Sequence, residues 1–85
     1  MREDGFMRVL VFNEGDFIVA QGLDFNIVAS IEGDDINRLM QRFGLQAELN
    51  KDMTLPPVPE KFERIWRTAT ALETAIGGMT VRQVA

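Results

Sequence analysis

The chain contains no cysteine, no histidine and no tyrosine, and its only serine is Ser30. Without cysteine, a disulfide framework is excluded. Without cysteine and histidine, so are the soft-ligand metal sites built from those residues. The residue most often used for general acid–base catalysis is missing. So is every cysteine nucleophile, and Ser30 falls within a strand-like stretch with no candidate base beside it. No apolar run approaches the roughly 20 residues of a membrane span. The start, Met1-Arg2-Glu3-Asp4-Gly5, is charged and leads into a strand-like stretch, unlike a secretory signal. These absences point to a cytoplasmic protein without a catalytic, metal or cofactor site and without a membrane partner.

The 85 residues suit a single domain spanning 1–85. So small a domain buries a modest fraction of its surface. With disulfides and soft metal sites unavailable, self-association is the expected reinforcement. The net charge is −4 and unevenly placed. Residues 1–52 carry five Lys/Arg against ten Asp/Glu, and residues 53–85 carry four against three. An acidic domain repels phosphate backbones, which argues against direct nucleic-acid binding. An acidic surface suits a basic protein partner, although modest negative charge also simply aids solubility.

Residues 1–5 read as a frayed terminus. The stretch Met7-Arg8-Val9-Leu10-Val11-Phe12 reads as a strand apolar on both faces. Asn13-Glu14-Gly15-Asp16 is a tight turn, and Phe17-Ile18-Val19-Ala20 returns to complete a β-hairpin. After a second break at Gln21-Gly22-Leu23-Asp24, the residues Phe25, Ile27, Ala29 and Ile31 alternate with Asn26, Val28, Ser30 and Glu32. Period two places the first set on one face of a third, antiparallel strand. Asp34 is the expected N-cap of a first helix, whose stripe is Ile36, Leu39, Met40, Phe43 and Ala47.

Residues 50–59 form a Pro-rich linker, with Pro59 suited to the first position of a second helix. There Phe62, Ile65, Trp66, Ala69, Leu72 and Ile76 repeat at helical spacing, and Gly77-Gly78 closes the helix. The pairs Glu60–Arg64 and Glu63–Arg67 fall at i,i+4. Residues 79–85 read as a fourth strand or a tail. The expected fold is α+β: a three-stranded antiparallel sheet in β-β-β-α order, the linker, a second helix and that last strand.

Three side chains are candidate partner or oligomer contacts: Leu45 and Leu49, almost opposite the first helix's stripe, and Trp66, large enough to anchor an interface. The place of Trp66 within its helix stripe favours a core role instead. The acids Glu32, Asp34 and Asp35 could hold a hard cation, but a helix N-terminus explains them as well.

The stretch from Phe17-Ile18-Val19-Ala20-Gln21-Gly22 through Ile27-Val28-Ala29-Ser30-Ile31-Glu32-Gly33-Asp34, with the later Leu55-Pro56-Pro57-Val58-Pro59-Glu60, resembles the HicB family of small antitoxin domains. The chain departs from the family at Leu23-Asp24-Phe25-Asn26, where a Pro-Gly-Cys turn is usual, and at Ile36-Asn37-Arg38. The resemblance implies a degraded ribonuclease-H-like fold without its acidic active site. It also implies a homo-oligomer that covers a small basic toxin-like protein. Many family members carry a further DNA-binding domain for operator control, which is not among these 85 residues, so neither autoregulation by this chain alone nor a full antitoxin role is expected.

Overall fold

The structure, a computed structural model, describes residues 7–72 and 78–84. The terminus at 1–5, Ile76 of the expected second helix and Gly77 of its closing pair lie outside the described residues. The elements are β1 (Met7–Glu14), β2 (Phe17–Gly22), β3 (Val28–Glu32), α1 (Ile36–Leu49), α2 (Lys61–Thr68), β4 (Thr70–Leu72) and β5 (Met79–Gln83). The α+β class holds. The sheet, however, has five strands in the order β3-β2-β1-β5-β4, and β5 runs parallel to β1. The antiparallel three-stranded expectation therefore covers only the β1–β2–β3 half.

The composition of β1 explains its central place. Alternate residues of a strand point to opposite faces. Val9 and Val11 enter a core cluster with Leu39, Met40 and Phe43 of α1. Leu10 enters a second cluster with Trp66, against which Phe62 and Ile65 of α2 pack. The sheet thus lies between α1 on one face and α2 on the other. A strand covered on both sides needs apolar residues on both faces, which β1 supplies from Val9 to Phe12. The linker joins the two layers: Leu55 packs against the α1-side cluster and Val58 against the α2-side cluster.

The hairpin is as expected, with Gly15 at φ 63°, but its turn is only Gly15-Asp16: Asn13 and Glu14, expected in the turn, extend β1 and pair with Ile18 and Phe17. The stripe of α1 also holds: Leu39, Met40 and Phe43 are fully buried, with Ile36 and Ala47 packed alongside. Burying each of the three contributes about 1.5–3 kcal/mol. The N-cap is Asp35 rather than Asp34, its carboxylate accepting from the Arg38 N–H at 3.2 Å.

Two further expectations are corrected. The third strand begins at Val28, and Phe25 lies in the preceding loop, exposed, rather than on the buried face with Ile27, Ala29 and Ile31. The Phe25 carbonyl accepts from the Ile27 N–H at 2.8 Å, which turns the chain there. Helix α2 stops at Thr68 instead of continuing through Ala69 and Leu72. Ala69 is extended, at φ −78° and ψ 155°. Thr70, Ala71 and Leu72 then pair with Gln83, Arg82 and Val81. Ladder pairing with β5 outweighs the helical spacing of these residues, as tertiary context commonly does. Residues 79–83 are a strand, resolving the choice between strand and tail.

Candidate functional site

Of the three candidate contacts, Leu45 and Leu49 stand on the outer surface of α1 at 66% and 73% exposure. They line a shallow groove with Arg38, Gln41, Arg42 and Gln46. Trp66 is only 8% exposed and belongs to the α2-side core, as its stripe position favoured. The structure therefore does not bring the three together. Trp66 sits between sheet and helix, while the leucines face outward on the other side of the molecule.

The surroundings of Trp66 are polar but structural. The guanidinium carbons of Arg8 and Arg82 stand 5.8 and 4.6 Å from its ring centroid, within range of cation–π attraction. Arg82 also donates to the Trp66 carbonyl at 2.8 Å, tying β5 to α2. Arg8 donates to both carboxylate oxygens of Glu63, at 3.2 and 2.6 Å, and through Nε to Asp24 at 3.1 Å. Asp24 accepts the backbone N–H of Arg8 as well, at 3.0 Å.

The hydrogen bonds from Arg8 hold the Glu63 carboxyl below the usual carboxylate range. The same bonds to Glu63, and secondarily to Asp24, raise Arg8 above its ordinary value. Glu63 is thus engaged with Arg8 of β1, from helix to sheet, rather than in the expected bridge along its helix to Arg67. The Glu60–Arg64 pair is present at 4.0 Å and exposed. This network pins α2 to β1.

The surface with unspent binding capacity lies beyond the reach of α2, on the β2–β3 half of the same face. Directly paired residues of antiparallel strands share a face. The register gives two rows there: Glu14–Phe17–Glu32 and Phe12–Val19–Ser30. Phe12 is covered by Phe62 of α2, with ring centroids 6.1 Å apart. Phe17 and Val28 are not covered, at 46% and 48% exposure. Glu14, Ser30 and Glu32 are exposed around them.

The Asp16 carbonyl accepts from the Gly33 N–H at 2.9 Å, so the hairpin turn and the start of the loop to α1 close the same end of the sheet. Phe17 is therefore an exposed aromatic ring flanked by two carboxylates, with a third acid, Asp16, beside it in the chain. An open groove of about 440 Å³ runs from this end toward α2, lined by Phe12, Asn13, Glu14, Lys61, Phe62, Ile65 and Val84. Lys61 contributes a cation at its rim.

Sequence reasoning did not single out Phe17, and it named Glu32 only with Asp34 and Asp35 as acids for a hard cation. The signal was present in the alternation of β3, where Val28 interrupts an otherwise polar outer face. A smaller apolar pocket of about 130 Å³ lies on the α1 side, lined chiefly by Met7, Phe25, Ile27, Met53 and Leu55.

Among the described residues, no group of three or more His, Cys, Asp or Glu side chains is placed to hold a metal ion. Among them, too, no helix is long and apolar enough to cross a membrane. Compared with known protein families, curated proteins and solved structures, the chain finds no match in any of the three.

Proposed function

We propose that this chain is a non-catalytic protein-binding module that takes a small basic protein as its partner in the cytoplasm, in the manner of a HicB-type antitoxin. The observation that carries the reading is the Glu14–Phe17–Glu32 row: an exposed aromatic anchor held between two carboxylates on an uncovered sheet face. Aromatic rings surrounded by complementary charge are the usual energetic centres of protein interfaces. The acidic balance of residues 1–52 and the HicB-like sequence pattern support the same partner chemistry.

The test is capture of partners by the tagged chain from its native lysate, with a rising salt wash, beside the Phe17→Ser variant. Retention of one small basic protein that salt releases and Phe17→Ser abolishes is the expected result. Retention that is indifferent to Phe17→Ser and to salt would sink the proposal.

A second reading is favoured by Leu45 and Leu49, both exposed on α1. In it the chain is a self-assembling domain of regulatory or structural role. Sedimentation of the wild type against a Leu45→Gln/Leu49→Gln double variant discriminates: the double variant falls to monomer if that helix face is the assembly surface.

A further inference from the structure

We infer that the basic partner is held by strand addition: an extended segment of it, with a β-branched and a cationic residue four positions apart on one face, pairs with the outer edge of β3. The inference rests on the binding reading above and specifies its mode.

Strand β3 is the first strand in the sheet order, so among the described residues only one of its edges, the one toward β2, is paired. Its sequence, Val28-Ala29-Ser30-Ile31-Glu32, carries the charge of Glu32 at one end but otherwise few of the devices that blunt an open edge. There is no proline and no lysine, and all five residues pair one-for-one with β2, without a bulge. The opposite edge strand, β4, has only three residues and offers a much shorter ladder. An open edge beside exposed apolar side chains, here Phe17 and Val28, is the arrangement used by proteins that bind extended segments.

The side chains specify the guest. On the uncovered face, an added strand would set its alternate residues opposite Val28, Ser30 and Glu32. Val28 calls for a β-branched or aromatic neighbour, and Glu32 for a cation. Phe17, directly across from Glu32 on β2, extends apolar surface under the aliphatic stem of that cation. A second copy of β3 matches less well. Paired antiparallel about Ser30, it would set Glu32 against Val28 of the other copy and leave both carboxylates without a cation.

The probe is a short synthetic peptide with valine and lysine four positions apart on one face, compared with one in which glutamate replaces lysine. Binding is followed by amide hydrogen exchange and by titration of the backbone amide resonances. The expected result is new protection of the outward-facing amides within residues 28–32 by the lysine peptide and none by the glutamate peptide. Glu32→Lys should weaken the lysine peptide by about tenfold or more, since a favourable cross-strand charge pair becomes a repulsive one.

Perturbation centred on Leu45 and Leu49, or equal binding of both peptides, would overturn the inference. So would protection of residues 28–32 that depends on protein concentration without peptide, which would assign the edge to a second copy. Failure of the peptide alongside Phe17-dependent capture of a basic protein would overturn strand addition and leave the binding function standing. Loss of both would remove the function as well.

Discussion

Phe17 stands directly opposite Glu32 across the β2–β3 ladder, so an aromatic ring and a carboxylate share one uncovered face of the sheet. Neither contributes to the two core clusters. Their exposure separates stability from recognition. Phe17→Ser should change the unfolding free energy by less than about 1 kcal/mol, as exposed substitutions do. It should weaken partner binding by about 2 kcal/mol or more if the ring is the anchor. Urea denaturation gives the first quantity and calorimetric titration with the captured partner the second.

Trp66 behaves in the opposite way. It fills the α2-side core and is flanked by Arg8 and Arg82. Trp66→Ala should cost about 3–5 kcal/mol, which is most of the stability that a small domain has. Circular dichroism during urea unfolding should show a large fall in midpoint for Trp66→Ala and a smaller one for Trp66→Phe.

The Arg8–Glu63 pair predicts a specific acid sensitivity. The folded pKa of Glu63 is depressed, whereas an unfolded glutamate titrates near about 4.3. The pair's contribution is therefore fully present above that value and is lost as pH falls through the lower folded pKa. Both side chains remain a third or more exposed, so the contribution is about 1 kcal/mol or less. Denaturation midpoints at neutral pH and at pH values below about 4 should converge for wild type and Glu63→Gln on the acid side and separate at neutrality. A constant gap between the two proteins would refute the assignment.

The parts of this fold visible in the sequence are those set by local periodicity. The β1–β2 hairpin follows from the Gly15 turn between two apolar runs, and α1 follows from its stripe at Ile36, Leu39, Met40 and Phe43. Ladder pairing is long-range, and that is where reading by periodicity failed. Ala69 and Leu72 keep helical spacing from Ile65, yet the residues from Thr70 to Leu72 find β5, itself beside β1 some 70 residues earlier. Glu63 shows the same limit for side chains. Its i,i+4 neighbour Arg67 is local, but Arg8 supplies two hydrogen bonds from the distant strand β1. The candidate site was hidden for a related reason. Phe17 looks like any strand aromatic until α2 is seen to cover Phe12 and to stop short of its neighbours.

Two glycines give the last prediction, because they should respond to alanine in opposite directions. Gly44 lies within α1, where glycine costs about 1 kcal/mol relative to alanine. A methyl group there would meet only the Met79 Cε, at 3.6 Å, an ordinary contact. Gly44→Ala should therefore stabilise the chain by about 0.5–1 kcal/mol. Gly22 ends β2, and its N–H donates to the Ile27 carbonyl at 2.8 Å in the loop that leads into β3. A methyl group on Gly22 would fall 2.5 Å from the Phe25 carbonyl oxygen and 3.3 Å from the ring of the fully buried Phe43. The backbone oxygen cannot swing aside as a flexible side chain could, so the loop must shift and the Gly22–Ile27 bond is strained with it. Gly22→Ala should destabilise by about 1–3 kcal/mol, the usual cost of overpacking. If the loop positions the β3 edge, Gly22→Ala should also weaken lysine-peptide binding while Gly44→Ala leaves it unchanged. Urea midpoints of the two variants, measured side by side, check the signs. A stabilised Gly22→Ala would mean that the loop accommodates the methyl group and is not fixed by this close approach.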